Sequence, residues 1–164
     1  IPHTQQAHVQ RAGDGGVIGN GNPVVLPPVA FPHCLVRSTA VKKAESMDKV
    51  ALAIVSPQDG RYPPLRDISL KAYAALGCAD VVRIDFKADG EGQLYVIDVN
   101  GTPSLGRASS LARMTAAVNV DYYGFINLVL YYGLKRSGLA AELSEPVAAA
   151  KEKLVSLSRG GQVA

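Results

Sequence analysis

Apolar and polar residues alternate in two short runs near the middle of the chain, VVRIDF over residues 81–86 and LYVIDVN over residues 94–100. A period of two places successive side chains on opposite faces of a β-strand, so both runs are predicted to be strands. The intervening stretch ADGEGQ is rich in turn-forming residues. The pattern therefore predicts an antiparallel β-hairpin.

The polar side chains of this hairpin lie at alternate positions of their strands. Arg83 and Asp85 share one face of the first strand. The even-numbered positions from Leu94 to Asn100, which include Asp98, share one face of the second strand. If the loop has two or four residues, each odd-numbered residue of the first strand lies opposite an even-numbered residue of the second strand. That register brings the polar residues of both strands to the same face, where two carboxylates, an amide and a guanidinium converge.

This convergence predicts a metal site. A face that crowds anionic oxygens around one cation repels itself unless a divalent ion binds there, and an all-oxygen set of short side chains suits Mg²⁺ or Mn²⁺ rather than zinc. The predicted metal ligands are Asp85, Asp98 and Asn100. The alternative is that Asp and Arg form ordinary solvated ion pairs, as they do on many exposed hairpin faces.

Helical patterns surround the hairpin. Asp67 is placed to cap a helix that ends at Leu76, before Gly77. After the hairpin, a loop of small residues leads to a helix over residues 111–118. A second helix is predicted to follow a cap at Asp121, and a third to run from about Pro146 to Ser158.

Composition narrows the class of protein. The chain has 164 residues, of which 48% are hydrophobic, so it can form one domain with a core. Its net charge of +3 is scattered, which argues against nucleic acid, and no apolar run is long enough to cross a membrane. Cys34 and Cys78 lack metal-binding spacing, as is typical of reduced thiols, so a cytoplasmic location is expected.

Residues 75–105, ALGCADVVRIDFKADGEGQLYVIDVNGTPSL, resemble the metal-binding hairpin of ATP-grasp ligases, most closely the D-alanine–D-alanine ligase branch. The stretch combines Leu-Gly-Cys, Arg-x-Asp, a turn, acid-x-Asn and a Pro three residues after the Asn. Residues 17–31, VIGNGNPVVLPPVAF, are similar to a strand-turn-strand of the same family. The resemblance implies an α+β fold, the C-terminal lobe of an ATP-grasp domain, with an antiparallel β-sheet and flanking helices in an incomplete domain.

The resemblance also implies roles for individual residues. Asp85, Asp98 and Asn100 would hold Mg²⁺ or Mn²⁺ against the phosphates of ATP. Arg83 would be catalytic, stabilising negative charge in the transition state, although it could simply neutralise Asp85. Nucleotide-binding positions would be Ile97 and Asn100. The carboxylate of the second substrate would be bound by Ser104, Ser109 and Ser110, for which capping and turn formation are the alternative.

The function implied by the resemblance is ATP-dependent ligation of a carboxylate to an amine through an acyl phosphate, as in D-alanine–D-alanine ligase or a close relative in peptidoglycan biosynthesis. The partners would be small-molecule amino-acid substrates, and a homodimer is possible. One alternative is a non-catalytic ATP-grasp-like module that binds nucleotide or a partner. Another is a metal-dependent hydrolase, which is disfavoured because no His or third acid joins the cluster.

We expect residues 1–16 to be irregular, residues 17–136 to form the C-terminal ATP-grasp subdomain, and residues 137–164 to be a helical extension. Because the resembling ligases have two further lobes before this region, the chain is expected to be a piece that carries the metal half of the site.

Four departures from the family pattern accompany the match. Ser104 follows Pro103 where the D-alanine ligases usually have Gly. Asp98 replaces the usual Glu, which leaves the number of metal ions open. The family's ribose-binding acid before Val17 is missing, and GDGG offers only Asp14. The family's Tyr-rich loop with its Lys is also missing, and the cations that could substitute are Arg37, Lys42 and Lys43.

Overall fold

The computed structural model of the protein describes residues 11–31, 52–139 and 144–158. Within these ranges the strands are β1 (Arg11–Ile18), β2 (Val24–Val25), β3 (Val29–Ala30), β4 (Ala53–Ile54), β5 (Val81–Ala88) and β6 (Leu94–Asn100). The helices of the same ranges are α1 (Tyr62–Ala75), α2 (Ser110–Ala116), α3 (Tyr122–Arg136) and α4 (Glu145–Ser158).

The strands form one antiparallel sheet in the order β4-β3-β1-β5-β6, with β2 also paired to β1. Helices cover both faces, so the predicted α+β architecture is confirmed. Among the described residues, no helix combines the length and apolar character needed to span a membrane.

Each face of the sheet carries its own apolar cluster. The α1 face, covered by α1, contains Val17, Val82, Ile84 and Phe86 from the sheet, with Tyr62, Leu65 and Tyr73 from the helix. The α2 face, covered by α2, α3 and α4, contains Ile18 and Val81 from the sheet, with Leu111, Met114, Phe125, Leu128, Leu154 and Leu157 from the helices. The helix predicted within residues 137–164 therefore packs into the same core as the preceding helices.

The central strand β1 is a correction to the sequence analysis. Residues 11–16 were expected to be irregular, yet they pair with β5 along the whole length of β1; residues 1–10 lie outside the described residues. The glycines of β1 allow close packing on both faces of the strand. A Cβ on Gly15 would lie 2.6 Å from Phe86 Cε2, and one on Gly16 would lie 2.6 Å from Leu111 Cδ2. The close contacts with Phe86 and Leu111 thus favour glycine at these two positions, although glycine has a low strand propensity.

Helix boundaries follow local chemistry. Helix α1 begins at Tyr62 instead of the predicted Asp67. Prolines fit its first turn because backbone N–H groups at that position have no intrahelical acceptor, so the N–H that proline lacks is not needed. Gly77, with φ of 60°, stops this helix as predicted. The cap at Asp121 is confirmed, since its carboxylate accepts a hydrogen bond of 2.7 Å from the Gly124 N–H.

An ion pair joins α3 to the start of β5. Arg136 Nη2 lies 2.7 Å from Asp80 Oδ2, and Asn20 Nδ2 donates to Asp80 Oδ1 at 2.8 Å. The hydrogen bond from Arg136 holds the pKa of Asp80 below its ordinary value; burial acts in the opposite direction, and Asn20 adds to the lowering. A lowered folded-state pKa means that Asp80 stabilises the protein above the unfolded-state pKa and that this stabilisation is lost as the pH falls through the folded-state value.

We therefore expect Asp80→Asn to destabilise the protein at pH 7 by on the order of 1 kcal/mol, and by less as the pH falls below about 4, the ordinary pKa of an aspartate. Thermal unfolding followed by circular dichroism across this range measures the difference. Asp67→Asn, at an exposed ion pair of 3.6 Å with Arg66, is the control and should have little effect. A loss of stability in Asp80→Asn that stays constant with pH would contradict the assigned role.

Candidate functional site

The β5–β6 hairpin brings the predicted polar residues together. Arg83 pairs with Asn100, and Asp85 pairs with Asp98, so all four side chains belong to one face. This is the α2 face, because the neighbouring residue Val81 belongs to its cluster. The predicted convergence is confirmed.

The reason for the convergence differs from the prediction. The connecting segment has five residues, 89–93, with Ala88 opposite Leu94. That odd length alone would put Asp98 on the wrong face, but a β-bulge at Ile97 inserts one extra residue and restores the register. Leu94 and Val96 consequently pack on the α1 face, so the prediction that they share a face with Asp98 is wrong.

Strand β1 adds a residue that the sequence analysis did not assign to the metal site. Asp14 pairs with Asp85, which in turn pairs with Asp98, so three carboxylates form a row across neighbouring strands. Only 1% of Asp14 is exposed. A period of two extended backward from the buried Ile18 through Gly16 would have placed Asp14 on this face, but the glycines hid the strand.

Arg83 is the cation beside this row. Its Nε donates to Asp85 Oδ1 at 2.7 Å and its Nη2 donates to Asp85 Oδ2 at 3.1 Å. The same Nε lies 3.7 Å from Asp14 Oδ2. Burial alone would lower the pKa of Arg83, but the hydrogen bond to Asp85 and the charges of Asp14, Asp85 and Asp98 together raise it. The guanidinium is therefore charged throughout the physiological range.

The donor set suits a hard divalent cation. Carboxylate oxygens of Asp85 and Asp98 and the amide oxygen of Asn100 are the ligands that Mg²⁺ and Mn²⁺ prefer. In the arrangement described, Asn100 Oδ1 accepts from the Thr102 N–H at 2.9 Å, and Arg83 engages both oxygens of Asp85. Within the described ranges, no three or more His, Cys, Asp or Glu side chains are grouped to hold an ion. Metal binding by the predicted trio stays a prediction.

The edge strand β6 also exposes apolar side chains beside this row. Ile97, the bulge residue, is 53% exposed, and Tyr95 is 51% exposed, with its hydroxyl donating to Asp89 Oδ2 at 3.0 Å. An exposed aliphatic side chain next to Asp98 is compatible with contact to a flat base. The nucleotide-binding role of Ile97 and Asn100 stays a prediction.

The three serines predicted to bind substrate have local structural partners or are buried. Ser104 Oγ accepts from the Gly106 N–H at 3.4 Å, and Ser109 Oγ caps α2 by accepting from the Ala112 N–H at 3.2 Å. Ser110 is buried at the start of α2. A capping hydroxyl can still donate its own hydrogen, so these contacts leave the substrate-binding role as a prediction. The candidate cations Arg37, Lys42 and Lys43 lie outside the described residues.

Comparisons with known proteins agree with this architecture. A family model described as the D-ala D-ala ligase C-terminus matches residues 16–131. D-alanine–D-alanine ligases of Francisella tularensis subsp. novicida and Francisella philomiragia are each 32% identical over 66 residues, which cover 40% of this chain and 22% of theirs.

Solved structures show the same fold at low identity. The D-alanine–D-alanine ligase of Bacillus anthracis complexed with ATP has a TM-score of 0.61 at 16% identity, over 81% of this chain and 40% of that one. The ligase of Coxiella burnetii has a TM-score of 0.61 at 14% identity, over 93% of this chain and 37% of that one.

The chain belongs to the family of D-alanine–D-alanine ligase C-terminal domains. The predicted fold, the C-terminal lobe of an ATP-grasp enzyme, is thereby confirmed. The chain spans well under half the length of the ligases it matches.

Proposed function

We propose that this chain supplies the metal-binding half of an ATP-dependent carboxylate–amine ligase, D-alanine–D-alanine ligase or a close relative. The observation that carries the proposal is the cross-strand register of the hairpin, which sets Arg83 opposite Asn100 and Asp85 opposite Asp98. Membership of the ligase family supports it, as does the ATP complex of the Bacillus anthracis relative.

In the proposed reaction, a carboxylate oxygen of the first amino acid attacks the terminal phosphorus of ATP, and the bond to ADP breaks. The amine of the second amino acid then attacks the acyl phosphate, a carbon–nitrogen bond forms, and inorganic phosphate leaves as the amine loses a proton. This chemistry needs no side-chain nucleophile, only positioning and charge stabilisation.

The predicted site residues divide that work. Asp85, Asp98 and Asn100 would hold Mg²⁺, which when bound neutralises phosphate oxygens. Arg83 is fixed at its guanidinium by two hydrogen bonds and is half-buried, so it presents a preorganised positive charge where negative charge develops. Ser104, Ser109 and Ser110 would contact the second substrate. Amino-acid substrates, a homodimer and a cytoplasmic role in peptidoglycan biosynthesis belong to the same proposal.

The second candidate is a non-catalytic nucleotide-binding module. It is favoured by one observation, the engagement of both Asp85 oxygens by Arg83, which leaves that carboxylate satisfied without metal. The two candidates differ in turnover, since a module binds ATP and metal without releasing phosphate.

The test combines Asp85→Asn with Asp98→Asn in the natural full-length protein. We expect Mn²⁺ binding, measured by electron paramagnetic resonance, and D-alanine-dependent phosphate release from ATP both to disappear, because the two anionic ligands are gone. Asn has nearly the volume of Asp, so the circular dichroism spectrum should not change.

Glu91→Gln, at an exposed position of the hairpin loop, is the matched control and should change neither measurement. Unchanged Mn²⁺ affinity in the double variant would reject the metal site. Binding of Mn²⁺ and ATP without phosphate release, in the presence of D-alanine or other amino acids, would favour the non-catalytic module.

A further inference from the structure

The proposed metal site contains a conflict between two cations. Arg83 donates to both oxygens of Asp85, at 2.7 Å and 3.1 Å. A divalent ion that binds Asp85 must take at least one of these oxygens from the guanidinium. Because Arg83 is half-buried, releasing it without another anionic partner would cost much of the binding free energy of the ion.

Asp14 is placed to resolve this conflict. It lies opposite Asp85 on the neighbouring strand β1, and its Oδ2 is 3.7 Å from Arg83 Nε. Pairing of the central strand β1 with β5 fixes its backbone, and its side chain is almost fully buried. The same Nε of Arg83 therefore lies near two carboxylates, and a small movement transfers its hydrogen bonds from Asp85 to Asp14.

Charge balance supports the same assignment. Asp14, Asp85 and Asp98 carry three negative charges, and Arg83 carries one positive charge. The four side chains together are left with two negative charges, which one divalent cation neutralises. With a neutral residue at position 14, the same cation would leave an excess positive charge in a partly buried site.

We propose that Asp14 is a positioning residue that accepts the guanidinium of Arg83 when a divalent cation occupies Asp85. The aspartate keeps Arg83 on the ligand face while the Asp85 oxygens become available to the metal. This inference rests on the proposed function, since it needs a cation at Asp85. It assigns a role to a carboxylate outside the predicted metal trio.

A double-mutant cycle in the full-length protein tests the proposal. Mn²⁺ affinity is measured by electron paramagnetic resonance for the unsubstituted protein, Asp14→Asn, Arg83→Gln and the combination of both. Asn fills nearly the same space as Asp, so Asp14→Asn removes charge and leaves packing intact. A thermal unfolding curve for each variant reports its folding.

We expect Asp14→Asn to weaken Mn²⁺ binding about tenfold or more when Arg83 is present, because the guanidinium stays on Asp85. In the Arg83→Gln background, Asp14→Asn should cost no more than about threefold, the long-range effect of its charge alone. Arg83→Gln should thus rescue the binding lost in Asp14→Asn. A merely structural role of Asp14 would not give this rescue.

An equal loss in both backgrounds, or no loss in either, would overturn the role of Asp14 and leave the metal site intact. Absence of Mn²⁺ binding in the unsubstituted protein would overturn the metal site and this inference with it. The two failures are therefore distinguishable.

A second readout follows Arg83 itself. On saturation with diamagnetic Mg²⁺, the side-chain Nε–H resonance of Arg83, assigned by its loss in Arg83→Gln, should persist in the unsubstituted protein and weaken by exchange with water in Asp14→Asn. Its loss in the unsubstituted protein on Mg²⁺ addition would overturn the proposal, because Arg83 would then have left both carboxylates.

Discussion

On the proposed ligase function, Arg83→Ala in the full-length protein is expected to lower kcat by about a hundredfold or more while the KM for ATP changes less. The guanidinium is held by carboxylates, by Asp85 in this structure and by Asp14 in the proposed cation-bound state, and it is charged at all working pH values. Its interaction with substrate can therefore strengthen as negative charge develops on the transferred phosphoryl group. Steady-state kinetics with D-alanine and varied ATP separate kcat from KM.

Two further variants sharpen this prediction. Arg83→Lys keeps the charge but loses the planar fork that engages a carboxylate through two hydrogen bonds, so it should recover only part of the lost kcat. Arg66→Ala, on the exposed side of α1, should leave both constants unchanged. If Arg83→Ala raises the KM for ATP and leaves kcat unaltered, Arg83 contributes to ground-state binding and the transition-state role is wrong.

Gly16→Val is expected to destabilise the protein by about 2–3 kcal/mol. A Cβ at this position would lie 2.6 Å from Leu111 Cδ2, 3.0 Å from Met114 Sδ and 3.1 Å from Leu26 Cδ1, so α2 would have to move away from the sheet. For a protein of this size, the cost corresponds to a fall in Tm of roughly 5–10 °C, measurable by circular dichroism.

Gly60→Val provides the matched control. A Cβ at Gly60 has no neighbour within 4 Å, and the change should stay within about 0.5 kcal/mol. Combining Gly16→Val with Leu111→Ala should cost less than the sum of the two separate changes, because the shorter side chain vacates the space that valine needs. Strict additivity would mean that α2 does not limit the space at Gly16.

The hairpin shows how far periodicity alone can be trusted. Alternation predicted strands over 81–86 and 94–100, and the observed strands are Val81–Ala88 and Leu94–Asn100. The polar residues were correctly assigned to one face, but through an assumed even loop. Alternation is a local signal and does not report a single extra residue such as Ile97, since the bulge depends on how β6 pairs with β5.

The family match and the capping signals were also legible in the sequence. The spacing of Arg-x-Asp and acid-x-Asn predicted the family that residues 16–131 match. Asp121 and Gly77 marked the ends of helices because capping depends on a few neighbouring residues. Helix α1 was placed too late because the prolines of its first turn read equally well as part of a connector.

By itself, then, the sequence determined what depends on near neighbours, which includes the strands of the hairpin, most helix ends, and the alternation that makes Arg83, Asp85, Asp98 and Asn100 candidates for one site. The tertiary structure decided the position of β1, whose glycines become strand residues only because Phe86 and Leu111 pack against them from opposite faces. It also decided that Asp14 joins the row, since that contact requires β1 to lie beside β5, about seventy residues away in the chain. Such long-range pairing carries no local signal, because it is set by the packing of whole elements.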